Sequence, residues 1–255
     1  VASLTRQERA DLEFAQEQIR NFAQAQRDTM LDLEIETLPG VVLGHRHIPV
    51  ANVGCYVPGG QYPLLASAHM TVLTAKVAGC GRVITCAPPF KGQLASKIVA
   101  AQHLAGADEI YRVGGAQAIG AMACGTLEIP RVDKICGPGN IYVNTAKRLV
   151  YGQVDIDMFA GPSEILILAD ESADPEFVAA DMLSQAEHGS GREQAVLLST
   201  EPALLPQVAA ELQRQSACLS RSDCLAKVLA NGVFLLETAS LQEAVELANR
   251  YAPEH

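Results

Sequence analysis

Two pairs of residues in this chain carry side chains suited to metal and acid–base chemistry. Gln185 and His188 lie within Ser184-Gln185-Ala186-Glu187-His188-Gly189. Residues three apart share a helix face, so both can converge on one ion. An imidazole nitrogen and an amide oxygen are feasible ligands for a zinc-like cation. Glu254 and His255 close the chain and pair a carboxyl with an imidazole, the commonest general acid–base groups. Each pair also has a plainer reading. A histidine closing a helix can cap its own carbonyls, and a terminal Glu-His can be a frayed end.

Four glycine-rich turns weigh against the plainer reading. They are Val57-Pro58-Gly59-Gly60, Val113-Gly114-Gly115-Ala116-Gln117, Cys136-Gly137-Pro138-Gly139-Asn140 and Ala160-Gly161-Pro162-Ser163-Glu164. Three follow a stretch that reads as a strand or strand end, and two precede helix-like sequence. An α/β protein exposes backbone N–H groups to anions at such places. Tyr56, Gln117, Asn140 and Ser163 stand beside the glycines as candidate binding residues, each with turn stabilisation or capping as its alternative. None of the turns has the Gly-x-Gly-x-x-Gly spacing. The residues alone therefore indicate an anion or nucleotide cleft, not a particular cofactor.

Six motifs occur in one order: Gly54-Cys55-Tyr56-Val57-Pro58-Gly59-Gly60, Val113 to Ala118, Gly137-Pro138-Gly139-Asn140, Ala160 to Glu164, Ser184 to Gly189, and Pro253-Glu254-His255. Together they closely resemble the histidinol dehydrogenase family from about Ala51 to His255, with looser similarity over the N-terminal helix. The resemblance implies two incomplete Rossmann-like lobes. One is a metal and substrate lobe from residues 1–55 and 162–255; the other is an inserted NAD-binding lobe, 56–161. Tyr56, Gln117 and Asn140 take positions that contact NAD, and Ser163 one that contacts substrate. Gln185 and His188 take positions that bind zinc and, with it, the substrate. The family completes its zinc shell with an Asp and a partner-supplied His further along. Neither position falls before His255, so we expect this chain alone not to retain zinc.

The implied reaction oxidises a primary alcohol to a carboxylate by two hydride transfers to NAD. His255 would take the alcohol proton, and Glu254 would activate water in the second step. Gly60-Gln61-Tyr62-Pro63-Leu64-Leu65-Ala66-Ser67-Ala68-His69-Met70 and Ala87-Pro88-Pro89-Phe90 depart from the usual pattern. They look more like the family branch that oxidises sulfopropanediol, with Tyr62 and His69 suited to an anionic head group. L-Histidinol and sulfopropanediol are both carried as substrates, with a slight lean to the second. Two readings from other classes stay open: a non-catalytic nucleotide-binding subunit, and a zinc hydrolase or lyase, which would leave the 340 nm absorbance of an NAD assay unchanged.

Composition narrows the partners. The chain has 255 residues, 49% of them hydrophobic, enough for one large or two small domains. A net charge of −10 with dispersed Lys and Arg argues against a nucleic-acid backbone or an anionic membrane surface. Seven cysteines, odd in number and without Cys-x-x-Cys, fit buried thiols in a reducing, cytoplasmic setting; we expect Cys86 and Cys124 in the core. His45 and His47 share a strand face with no third ligand nearby. The chain starts without Met and stops abruptly at His255, from which we expect a trimmed protein.

The elements that must position these residues alternate between strand and helix. Strand-like runs are expected at 82–87, 109–113, 132–136, 164–169, 195–199 and 233–236. Helices are expected near 63–78, 94–105, 116–124, 141–150, 175–188, 204–215 and 241–250. Asp174 reads as an N-cap before Pro175, and Gly189 as the stop. That order predicts an α/β fold of two lobes with parallel sheets flanked by helices and a cleft between them. Residues 4–29 predict a long polar helix with too little apolar face to bury alone. We expect it to pack on the second half of the chain or on a second copy in a homodimer.

Overall fold

A computed structural model describes residues 1–59, 64–89, 92–93, 95–188, 190–219 and 222–255, without the side chains of 222 and 224. Gly60, Tyr62, Phe90 and Gly189 lie outside the described residues. The chain divides into two compact units, Val1–Ala160 and Gly161–His255.

The first unit opens with helix α1 (Arg6–Asp28). Thr5 accepts the Glu8 N–H while the Glu8 carboxylate takes the Thr5 N–H, a reciprocal box that fixes where the helix starts. An antiparallel hairpin follows, β1 (Leu33–Leu38) and β2 (Val41–His45), turning at Gly40 with every residue exposed. The five-stranded sheet then takes β3 (Asn52–Tyr56), β4 (Arg82–Cys86), β5 (Glu109–Tyr111), β6 (Lys134–Cys136) and β7 (Asp155–Ile156) in the order β5-β4-β3-β6-β7. All its pairings are parallel.

Chain order thus runs outward from β3 to β5, then returns to the other side of β3 for β6 and β7. That is a doubly wound sheet whose direction reverses between β3 and β6. α2 (Leu65–Ala68), a π-helical turn (His69–Leu73) and α3 (Thr74–Val77) pack Val72, Leu73 and Ala75 on Val53, Cys55 and Val83. α4 (Ser96–Ala105) joins β4 to β5. α5 (Gly115–Cys124) and α6 (Ile141–Val150) cover the opposite face, with Ile119, Met122 and Val143 against Ile84, Cys86 and Ile135.

The N-terminal residues correct the expected lobe boundary. β3 is the centre of the first sheet, and α1 buries Leu12, Gln16 and Ala23. Leu12 packs with Val57, Ala68, Ile98 and Ala101; Arg27 donates to the Val77 carbonyl at 2.6 Å. Residues 1–55 therefore join 56–160, not the second lobe, because three inward residues suffice to seat an otherwise polar helix.

His69 is 5% exposed. The Gln16 amide nitrogen lies 3.0 Å from its Nδ1 and donates to the Ala101 carbonyl at 2.9 Å. Nδ1 thus accepts, and burial holds the imidazole below its ordinary pKa of 6.5. The unfolded chain takes up this proton more readily, so His69 contributes stability above about pH 6.5 that is lost as pH falls through the depressed folded value. Urea midpoints measured between pH 7 and pH 5 should fall less steeply for His69→Leu than for the parent. Equal slopes would remove His69 from the acid response.

In the second unit β8 (Glu164–Ala169), β9 (Gln194–Ser199) and β10 (Val233–Glu237) form a parallel sheet in the order β10-β9-β8. α7 (Pro175–Ala186), α8 (Leu204–Ser216) and α9 (Ser222–Asn231) cover one face through Met182, Leu183, Val208 and Leu225 on Leu197. α10 (Leu241–Tyr251) covers the other through Ala244 on Val196 and Leu198. Asp174 caps α7, accepting the Glu176 N–H at 2.8 Å, with Pro175 at the first position. Among the described residues no helix is long and apolar enough to cross a membrane.

Candidate active site

In the first unit the glycine turns all leave the carboxyl ends of parallel strands. Val57–Gly59 follows β3, Gly114 follows β5 and Gly137 follows β6. Open α/β sheets collect ligands at this edge, at the point of reversal, which here lies between Tyr56 and Gly137. The approach there is close. Gly137 sits at φ +117°, and a Cβ on it would lie 2.1 Å from the Tyr56 carbonyl oxygen. Both the backbone angle and the space demand glycine. Gly137→Ala should cost about 2–4 kcal/mol of stability, measured by urea unfolding; a cost under about 1 kcal/mol would mean that the turn yields.

Tyr56 is buried at the end of β3, and its phenol oxygen accepts the Gly115 N–H at 3.1 Å. Burial raises the phenol pKa and the Gly115 bond opposes it, so the O–H keeps its proton. That bond ties the β3 turn to the start of α5, where Gly114 is the N-cap and offers no side-chain acceptor. Gln117 is exposed on the first turn of α5. Asn140 is the N-cap of α6: its Oδ1 accepts the Tyr142 and Val143 N–H groups, both at 3.1 Å. The capping role weighed for Asn140 is therefore present, and its amide nitrogen is the part left to face a ligand.

The second unit gathers its candidates at the amino edge of its sheet. α7 runs back from the carboxyl edge, so its end reaches the edge where Glu164 and Gln194 pair in register. Ser163 is half-buried immediately before β8, its carbonyl accepting the Gln194 N–H at 3.1 Å. His255 lies along β8: its N–H donates to the Glu164 carbonyl at 3.1 Å, and its carbonyl accepts the Leu166 N–H at 2.9 Å. The chain end thus adds a short strand-like segment to the free edge of β8. Glu254 places Oε2 3.3 Å from the Glu164 N–H. Ala252, at φ +53°, makes the turn from α10 into this segment.

Gln185 and His188 sit on the last turn of α7 and just beyond it. Gln185 Oε1 is buried and has no hydrogen-bond partner among the described residues. An orphaned buried acceptor costs about 1–3 kcal/mol, so it marks a place where a donor or cation belongs. His188 is exposed, with Nδ1 3.1 Å from the Ser184 carbonyl. A carbonyl can only accept, so Nδ1–H donates and Nε2 is the ring nitrogen left for a ligand, the orientation a backbone carbonyl gives a metal-binding histidine. The same contact is the helix-closing role weighed for His188, and the two are compatible. Among the described residues no group of three or more His, Cys, Asp or Glu could hold a metal.

Two features escaped the sequence. Glu193 is 2% exposed and folds the loop after His188, accepting the Ser190 and Arg192 N–H groups at 2.7 and 3.0 Å. Burial pushes its carboxyl up, but the bonds from the Ser190 turn outweigh it and the pKa falls below the ordinary value. Lys147 is the second, buried beneath the Gly137 turn. Other candidates lie elsewhere. His45 and His47 stack edge to face on the surface with ring centroids 5.2 Å apart. Cys86 is buried and its thiol is pushed up to about 12 by burial, whereas Cys124 is exposed at the end of α5, correcting its assignment to the core.

Comparison with known proteins decides the family. The histidinol dehydrogenase family model matches residues 1–255. The chain belongs to the histidinol dehydrogenase family. It is 60% identical to histidinol dehydrogenase homolog 1 of Mesorhizobium japonicum, over all of this chain and 51% of that protein. It is 43% identical to the sulfopropanediol 3-dehydrogenase of Ruegeria pomeroyi, over 97% of this chain and 57% of that protein. The crystal structure of histidinol dehydrogenase from Elizabethkingia anophelis superposes with a TM-score of 0.94 at 39% identity, over all of this chain and 58% of that one. The chain spans between half and three fifths of the curated relatives named here. It shares with the Elizabethkingia anophelis structure the α/β fold described above.

Proposed function

We propose that this chain forms the dinucleotide-binding and part of the substrate-binding apparatus of an NAD-dependent, zinc-assisted alcohol dehydrogenase that carries a primary alcohol to the carboxylate. One observation supports it most strongly: the orphaned Gln185 Oε1 beside an oriented His188, at the sheet edge that also bears Ser163, Glu254 and His255. A hydrolase has no use for the glycine turns at the reversal point of the first sheet, and a pure binding subunit has none for an oriented imidazole next to an unpaired acceptor.

The residues present fit half of a zinc shell. Gln185 Oε1 and His188 Nε2 would hold the ion, which when bound supplies Lewis acidity and orients the alcohol. In the first unit Tyr56, Gln117 and Asn140 would contact NAD, with the uncapped start of α5 offering N–H groups to its phosphates. His255 would take the hydroxyl proton as hydride leaves for the nicotinamide. Glu254, three residues beyond α10, would deprotonate the water that adds to the aldehyde. A homodimer is proposed on the resemblance and the exposed hairpin and α1 faces.

L-Histidinol is the substrate to test first. The lean toward sulfopropanediol drew on His69, and His69 is buried against Gln16; Tyr62, its companion, lies outside the described residues. With NAD and each alcohol in turn, the zinc-loaded full-length protein should raise absorbance at 340 nm with L-histidinol and much more slowly with sulfopropanediol. Faster turnover of sulfopropanediol would reverse the choice of substrate, and a flat trace with every alcohol would exclude the dehydrogenase.

A further inference from the structure

Lys147 is 1% exposed, and among the described residues no other Lys or Arg is as deeply buried. Removing an ammonium from water costs several kcal/mol unless it is paired and hydrogen-bonded. Its Nζ pairs with Asp157 Oδ1 and donates to the Gly137 carbonyl at 3.1 Å. The other oxygen of Asp157 accepts the Gly137 N–H at 2.6 Å, and Oδ1 also takes the Met158 N–H at 2.7 Å. The ion pair thus grips Gly137 by both its N–H and its C=O. Asp157 follows β7 and Lys147 lies in α6, so the clamp ties three neighbouring segments at one point. A second strut runs beside it: Asn144 Nδ2 donates to the Gly139 carbonyl at 3.3 Å and the Ala160 carbonyl at 2.8 Å.

An ordinary turn of this kind needs no buried charge, and an apolar filler of similar volume is often no less stabilising. What the charge pair supplies is direction. It fixes a left-handed glycine within contact of the Tyr56 carbonyl and so sets where Gly139, Asn140 and the first amides of α6 point.

We propose that Lys147 and Asp157 are positioning residues of the dinucleotide subsite, holding the Gly137–Asn140 turn in its binding geometry. This rests on the reading of that edge as the NAD site.

Hydrogen exchange and NADH fluorescence titration on Lys147→Met, Asp157→Asn and the double variant test it. Displacing a binding element by about an ångström can cost on the order of 10²-fold, so NADH dissociation constants should rise ~10–100-fold in Lys147→Met. The KM for the alcohol should stay within a factor of about 2, because neither residue is among those assigned to the alcohol. Amides of residues 137–143 should exchange faster without any ligand, and the double variant should be no worse than the sum of the single ones. A folded Lys147→Met protein with parental NADH affinity overturns the proposal. If that variant fails to fold, Asp157→Asn, which keeps an acceptor for Gly137, decides by the same two readouts. A parent protein that binds no NADH sinks the dinucleotide reading and the proposed ligand with it, while the exchange rates still decide whether the clamp exists.

Discussion

Replacing His188 by alanine should abolish zinc retention and turnover together in the active protein. The imidazole is oriented by the Ser184 carbonyl, 3.1 Å from Nδ1, so Nε2 is presented for a ligand. Gln185 Oε1, its proposed fellow ligand, has no hydrogen-bond partner among the described residues. Zinc sites in characterised proteins use three or four protein ligands, and losing the imidazole leaves the amide as this chain's single contribution. Metal content by atomic absorption after dialysis, alongside the rate of NAD reduction, checks it. A His188→Ala protein that keeps both zinc and rate would place the metal elsewhere. By the same count, this 255-residue chain alone should not hold stoichiometric zinc; finding it bound through these residues alone would refute the half-shell assignment.

His255→Ala should behave differently, with zinc retained and kcat reduced ~10²–10⁴-fold, the usual cost of removing a positioned base. The backbone of His255 is held by Glu164 and Leu166 of β8, so truncating its side chain leaves the segment paired. KM for the alcohol should change much less than kcat. The pair of variants separates the roles: zinc lost in His255→Ala, or rate preserved in it, would exchange the assignments of the two histidines.

The parts of the fold legible in the sequence are those fixed by local chemistry. The Asp174-Pro175 start names the beginning of α7 without any tertiary knowledge. The alternation of strands and helices named both parallel sheets, and the four glycine turns marked where three of the strands end. The hairpin at 33–45 escaped although Pro39-Gly40 signals its turn, because its apolar residues are all exposed and face no core. β7 is two residues long and could not announce itself. The seat of α1 depends on three buried residues spread over 23, a stripe too thin to assign to one lobe by pattern.

The site shows the same division. Motif order proposes Tyr56, Gln117, Asn140, Ser163, Gln185, His188, Glu254 and His255, and the structure distributes them between two sheet edges. What pattern could not supply was environment. Nothing near His69 reveals Gln16, 53 positions away, as its partner. Lys147 reads as one more surface cation of an amphipathic helix until β7 brings Asp157 beneath it.

The stoichiometry of NADH formed per alcohol consumed tests the central claim most directly. With L-histidinol limiting, excess NAD and added zinc, the protein in active form should yield two NADH per alcohol and release the carboxylate, with no free aldehyde trapped by semicarbazide. One NADH per alcohol with aldehyde in solution, or no NADH at all, would contradict the assignment of Glu254 and His255 to two successive oxidations on one bound substrate.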